Sequence, residues 1–362
     1  DVLVNLHGEP HKSRRMLETK VFRRDFFKYY ESEIFPQTLR ETLNPFVEAG
    51  KMDLVDFGYR VMVNLTADFT GIDRQEKSPE ETAELMRLLR IFGKTATLAH
   101  ATGDKNAVKE EAFKALERFD QRFVQPSITR RFDLLGKWER GEISEDAVPR
   151  DILAVLLRNE DGIDMPRDVL TREMAFFALA GAHTSIHTLT HAVHELFGWL
   201  ESRPEDKQFV LEEPRFIQKC VLESIRLHPS SPIAARRTLC PMDIESKPIE
   251  KDSKVIIDLQ SANRSKTIFG EDAGTFNPNR SLPKGQSRYG LSFGQGMHAC
   301  LGLNLAAGVL PPEGKSVDHM GTVALIVQSL FKEGIAPDPN QTPEKDKTTA
   351  RDLWGYYPII FS

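Results

Sequence analysis

The sequence predicts a mainly α chain with a small β part, folded as one domain over residues 1–362. Three observations carry this expectation. Apolar residues recur at helical spacing through most of residues 11–140. One helical block runs unbroken from Pro166 to about Arg203, roughly 50 Å at 1.5 Å per residue and long enough to cross a whole domain. After Leu227 the texture changes to short strand-like pieces between turn-rich stretches.

In chain order, residues 11–49 read as helix interrupted by Pro36 and Pro45. Residues 52–71 carry a stripe through Leu54, Phe57, Val61 and Leu65 and stop at Gly71. Residues 79–100 and 106–140 are two further helical blocks. Ser144 starts another, with Glu145 and Asp146 in a first turn where acids suit the helix dipole. Pro166 suits a first helical position, and Pro204 ends the long block. Strand pieces are expected at 231–239 and 253–259. Residues 267–292, rich in Gly, Pro, Asn and Ser, read as an irregular but specified loop. The tail, 342–362, holds a charge-rich patch and then a closing strand from Tyr356 to Phe361. No internal repeat is present.

Apolar residues make up 40% of the chain and charged residues 28%, enough for a sizeable core. The net charge of -5 argues against a nucleic-acid partner. Three cysteines, Cys220, Cys240 and Cys300, are too few for a disulfide framework and point to a reducing, cytoplasmic setting. No run of 18 apolar residues marks a membrane span. The chain opens on Asp1 rather than Met, with no signal-peptide pattern, as a fragment or processed product would.

The most informative segment is 292–302, Ser-Phe-Gly-Gln-Gly-Met-His-Ala-Cys-Leu-Gly. Its glycines permit tight backbone and close approach to a flat partner. Cys300 stands at the head of an apolar helical run, where backbone N–H groups and the dipole stabilise a thiolate. A lone cysteine beside such a turn is usually structural, but the whole pattern F-G-x-G-x-H-x-C-x-G reverses that balance. It resembles the haem-binding signature of the cytochromes P450, matching six positions over ten residues from Phe293 to Gly302.

The resemblance extends in order along most of the chain, from His11 to Leu305. Glu223 and Arg226 match the family's E-x-x-R, where a spacing of three lets both pair on one helix face. Arg280, in Phe-Asn-Pro-Asn-Arg, is the third member that the resemblance implies. Without the resemblance this would be a surface ion pair. Ala180-Gly181-Ala182-His183-Thr184 is similar to the family's distal helix segment. There Gly181 would thin the helix for O2, Thr184 would help deliver protons, and His183 would stand where an acid is usual. A mid-helix Thr more often bonds back to a carbonyl one turn earlier. A His titrates near neutrality and could itself shuttle protons. His11 and Arg15 match H-x-x-x-R, and with His298 and Arg236 they are the implied contacts of the haem propionates. Arg237 is an alternative to Arg236. Phe176, Phe177 and Ala180 are the candidate pocket wall.

The resemblance implies a cytochrome P450 fold with a long central helix over haem b (iron protoporphyrin IX). Cys300 is the implied axial iron ligand, beside Phe293 and Gly294. The implied activity is insertion of one oxygen atom of O2 into a small, lipophilic organic substrate. No flavin, Fe–S or nicotinamide segment follows residue 305, so electrons would come from separate partners such as ferredoxin and ferredoxin reductase. A haem-thiolate peroxygenase is the alternative within the family. Two departures stand out. The family's region before His11 has no counterpart in this chain, and Gly308–Gly314 (GVLPPEG) would interrupt the helix that follows Cys300. A rival of another class is a helix-borne metal site on His183, His187, His191 and His194, spaced 4, 4 and 3. A non-enzymatic helical interaction protein would leave the cysteine loop unexplained.

Overall fold

The computed structural model describes residues 2–96, 104–159, 162–349 and 351–362. A 3-10 turn at Leu3–Asn5 precedes α1 (Gly8–Thr19) and α2 (Arg24–Tyr29). Through a π turn at Tyr30–Ile34, α2 runs into α3 (Phe35–Ala49). The predicted breaks at Pro36 and Pro45 do not occur. Pro36 lies in the first turn of α3, and Pro45 lies within the helix. Pro45 and Glu41, whose carbonyl loses its helical donor, are both exposed, so water can serve instead.

β1 (Lys51–Asp53) leads into α4 (Leu54–Thr70), capped by Asp53 Oδ1, which accepts the Val55 N–H at 3.0 Å. α5 (Pro79–Ala96) and α6 (Lys105–Phe119) follow, and a second π turn joins α6 to α7 (Gln125–Glu139). The end of the predicted 79–100 block lies outside the described residues. The helix expected from Ser144 is only a 3-10 turn, Glu145–Ala147. Pro149 follows at once, and a residue before proline avoids the helical region. α8 (Ile152–Arg158) starts afresh from Asp151, whose Oδ1 accepts the Ala154 N–H at 2.8 Å.

The long block is α9 (Arg167–Ser202), 36 residues, with Pro166 as its N-cap rather than its first residue. α4 lies along it, and Ile186, Leu189, Val193 and Leu196 are fully buried in the shared core. α10 (Lys207–Glu212) and α11 (Pro214–Leu227) complete the helical part before the texture change.

β2 (Ile233–Arg237) pairs antiparallel with β5 (Lys254–Asp258), and β3 (Met242–Ile244) with β4 (Lys247–Ile249). Two short helices follow β5, α12 (Leu259–Ala262) and α13 (Lys266–Phe269), the second of them entering the stretch expected as an irregular loop. After Cys300 come α14 (Leu303–Ala307) and α15 (Thr322–Lys332), then β6 (Ile335–Pro337), β7 (Glu344–Lys345), β8 (Trp354–Tyr356) and β9 (Pro358–Phe361). The closing strand is therefore split at Tyr357. β9 is central in a sheet of order β1-β9-β6.

The GVLPPEG segment does end α14, and the loop it begins closes on itself. Gly308 and Gly321 both have positive φ (69° and 87°), and a Cβ on Gly321 would stand 2.2 Å from the Gly308 nitrogen. Only glycine fits that contact. Val309 N donates to His319 O at 3.1 Å. Gln218 on α11 donates to His319 O at 2.8 Å, and Glu31 accepts the Met320 N–H at 2.9 Å. Thr322 Oγ1 donates to Leu305 O at 3.0 Å, taking the place of the helical donor that the break removes.

Candidate active site

A cavity of about 290 Å³ lies between α9 and the segment around Cys300. Its walls are largely apolar. Phe176, Phe177 and Ala180 of α9 line it, as the sequence suggested. Met62, Leu65 and Phe69 of α4 line it too, and of these only Leu65 belongs to the stripe read from the sequence. Phe22 and Phe69 meet edge-on with ring centres 5.2 Å apart.

Cys300 is exposed and lines this cavity, with protein atoms crowded around its sulfur. Its loop is shaped by Gly294 (φ 68°) and Gly296 (φ 76°), and Cys300 N donates to Phe293 O at 2.8 Å. Burial pushes the thiol up, while the Gly302 N–H, Arg15 and the Leu303 N–H oppose that shift. Phe293 lines the cavity, and Gly294 supplies the turn behind it.

On the opposite wall stand Gly181 and Thr184. Thr184 Oγ1 donates to Ala180 O at 3.0 Å, the ordinary back-bond of a helical threonine. Gly181 has a packing reason as well, since a Cβ there would come within 2.8 Å of Thr66 Cγ2 on α4. His183 does not join them. One residue along a helix turns the side chain by about 100°, and His183 lines a separate small cavity with Tyr59 and Arg90. A proton relay running directly from His183 into the main cavity is therefore not what the fold builds.

The predicted rim is assembled at one edge. His11 and His298 have ring centres 4.3 Å apart, and Arg15 Nη2 donates to Ala299 O at 2.6 Å. His7, which sequence reasoning missed, stands 5.5 Å from His298. Its signal was the spacing of four before His11. Arg236 is exposed and outside the lining, donating to its own strand at Ala235 O (2.9 Å), but close enough to act on His298. Arg237 instead pairs at the surface with Asp252 at 3.1 Å. Partial burial, His11, His7, Arg15 and Arg236 all lower the His298 pKa. His11 Nε2 is buried without a partner. Positive and would-be positive groups crowded with no anion among them form a site for carboxylates. A thiol beside this rim, facing an apolar chamber, fits an iron porphyrin and its two propionates.

Glu223, Arg226 and Arg280 form one buried network rather than a surface pair. Arg226 donates to both Glu223 oxygens, at 2.7 and 2.9 Å, and Arg280 Nε donates to Glu223 Oε1 at 3.0 Å. Arg226 also donates to Asn263 O and Ala273 O, and so ties α11 to the irregular loop.

The four histidines of α9 do not converge. His183 and His187 touch edge-on at 5.0 Å, His191 stacks on His228 at 4.1 Å, and His194 Nδ1 lies 2.9 Å from Tyr357 Oη. Among the described residues no three metal-ligating groups come together. No described helix is long and apolar enough to cross a membrane.

Comparison with known proteins agrees with the fold. A family model described as Cytochrome P450 matches residues 129–308. The chain is 23% identical over 313 residues to the pulcherriminic acid synthase of Bacillus subtilis, covering 84% of this chain and 70% of that protein. It is 32% identical over 161 residues to the indoleacetaldoxime dehydratase of Arabidopsis thaliana, covering 42% of this chain but only 30% of that one. Among solved structures, CalO2 superposes with a TM-score of 0.75 at 19% identity, over all of this chain and 80% of the other. CYP109E1 from Bacillus megaterium, in complex with testosterone, gives 0.73 at 18%, over 100% and 86%. The fold, the cysteine loop and the matched family model converge, and the chain belongs to the cytochrome P450 family of haem-binding oxidoreductases.

Proposed function

We propose that this protein is a monooxygenase that inserts one atom of O2 into a C–H bond of a small lipophilic substrate, with electrons from separate donors of the ferredoxin and ferredoxin-reductase kind. The observation that carries this is the apolar cavity joining Cys300 to the Gly181–Thr184 wall. Similar folds have been solved with testosterone and with a hexadecenoyl acyl carrier protein, which supports a lipophilic substrate class.

When bound, haem supplies O2 activation and oxygen transfer. The chain's residues then have distinct tasks. Cys300 Sγ would hold the iron, on a loop fixed by its own N–H to Phe293 O. His11, Arg15 and His298 would hold the propionates, with Arg236 adding positive charge from outside the lining. Phe176, Phe177 and Ala180 exclude water and orient the substrate. Thr184 Oγ1 holds a proton at the cavity wall. It must turn away from Ala180 O to pass that proton on. Glu223, Arg226 and Arg280 keep the cysteine loop in place from behind.

A peroxide-driven reaction is the second reading. It is favoured by one observation, that the residue beside Thr184 offers no titratable group to the main cavity. One assay separates the two. Turnover with a generic ferredoxin, its reductase and NADPH supports the monooxygenase. Turnover with hydrogen peroxide alone, and failure with every donor pair tried, supports the peroxygenase.

Thr184→Ala is expected to cut product formed per electron consumed by up to roughly 100-fold, the lower end of what a positioned proton donor contributes. His183→Ala is expected to leave that ratio within about twofold, because its ring does not reach the main cavity. Product yield against NADPH consumed measures both. A large loss in the His183 variant would restore a relay through that residue.

A further inference from the structure

Behind the cavity wall, α1 and α9 bury three ionisable side chains that the proposed chemistry does not use. Arg14, Glu18 and Glu173 are 7%, 0% and 0% exposed. Glu173 lies three helical turns before Thr184 and one turn before Phe177 on α9. Its two oxygens accept the backbone N–H of Leu3, at 3.0 and 3.1 Å, and Oε2 also accepts Arg14 Nη1 at 2.9 Å. Leu3 and Val4 are part of the cavity wall. A buried carboxylate therefore holds a wall segment from behind, by its backbone.

Glu18 stands beside Glu173, one turn after Arg14 on α1. Both of its oxygens are buried, and neither receives a hydrogen bond. Two ionised carboxylates there would share one guanidinium, and among the described residues Arg14 pairs with Glu173 rather than Glu18. A carboxylic acid at Glu18 resolves this, because its proton can be donated to Glu173. The charged neighbours agree with a neutral Glu18. Burial first, then the Glu173 charge, pushes its pKa up to about 9, against the weaker pull of Arg14 and Arg15.

We propose that Glu173 is a positioning residue of the substrate chamber, pinning the Leu3–Val4 wall to α9 with Arg14 as counter-charge and Glu18 as a neutral acid donating to it. This rests on the main cavity being the substrate chamber.

The test uses the haem-loaded protein and its Glu18→Gln and Glu173→Gln variants. In the wild type, Glu18 titrates near 9 when folded and near 4.3 when unfolded. The stability contributed by its protonated form is complete below the unfolded value and is lost progressively as pH rises to the folded one. Glu18→Gln takes up no proton. Its Tm is expected to exceed that of the wild type by a margin that widens from about pH 5 to about pH 9, with the amides of residues 3–5 still protected from hydrogen exchange. Glu173→Gln loses a charge and one of its two acceptors. Exchange at residues 3–5 is expected to speed by more than about tenfold, while the red-shifted Soret band of the reduced carbon monoxide complex persists. A Glu18→Gln Tm equal to or below wild type at pH 8 would overturn the proposal, as would unchanged exchange in Glu173→Gln. If Glu173→Gln does not fold, the Glu18 variant decides alone. A wild type lacking the Soret band would instead defeat the haem reading, and leaves the exchange and Tm comparisons intact.

Discussion

Cys300→Ala is expected to remove the red-shifted Soret band of the reduced carbon monoxide complex and to bring turnover to background, with the fold retained. The reasoning starts from position. Cys300 is the one cysteine lining the main cavity, since Cys220 is buried in α11 and Cys240 is exposed beyond β2. Neither can replace it without moving a secondary-structure element. The loop does not depend on the sulfur. Its shape comes from the Cys300 N–H to Phe293 O, the Ala299 N–H to Gly296 O at 3.0 Å, and the positive φ of Gly294 and Gly296. Alanine keeps all of these, so a loss of about 1 kcal/mol or less in folding stability is expected. Haem uptake should weaken but not vanish, because the rim of His11, Arg15 and His298 still attracts carboxylates. An absorption spectrum, a turnover assay and a thermal melt on one preparation check the three parts together. A Cys300→Ala protein that kept the thiolate spectrum would show that another group ligates the iron.

How far the site could be read from sequence depended on the range of the interactions involved. The cysteine loop was legible because six of its constraints fall within ten residues: the three glycines, the histidine, the cysteine and the aromatic whose carbonyl accepts its N–H. The 36-residue helix was legible because nothing inside it breaks the pattern. Glu223 and Arg226 were legible as a pair, but their complete burial was not. That comes from Asn263, Ala273 and Arg280, which the loop returns from 37 to 57 residues away. Local propensity misled at Pro45, where an exposed carbonyl tolerates the missing donor, and at Ser144, where Pro149 limits the turn. The contrast between His183 and Thr184 is the most instructive. Sequence order puts them side by side, while helical phase sends one to each side of α9. Gly181 shows the same limit. The resemblance implies room for O2 there, and only the packing shows that Thr66 of α4 fills the space where its Cβ would be. The contribution of α4 to the cavity wall is legible from tertiary packing alone.

Glu223→Gln is expected to cost about 3–5 kcal/mol of folding stability, the range for stripping one partner from a buried ion pair. Against the roughly 5–15 kcal/mol that holds a typical domain together, this is a large fraction. The glutamine has nearly the same shape but no charge. One of its two oxygen positions becomes an NH2 group pointing at a guanidinium. Arg226, 0% exposed, would then be left as a buried cation whose carboxylate partner is gone, while Arg280, 4% exposed, would keep Asp272 alone. The damage should travel to the cysteine loop by a traceable route. Arg226 O accepts from Asn263 Nδ2 at 3.1 Å, Asn263 Oδ1 accepts the Leu291 N–H at 2.7 Å, and Ser292 Oγ donates to Ile225 O at 2.8 Å. These bonds tie the end of α11 to the residues just before Phe293. Gly290 has no slack to offer, because a Cβ there would stand 2.2 Å from Asn263 Oδ1. Loosening α11 therefore loosens the loop that carries Cys300, and the variant is expected to be isolated with little haem. Urea unfolding and the haem-to-protein absorbance ratio measure the two effects. The exposed pair Arg237–Asp252 is the control: Arg237→Ala is expected to change stability by no more than about 0.5 kcal/mol and haem content not at all. If Glu223→Gln behaved like that control, the buried network would not be what holds the cysteine loop in place.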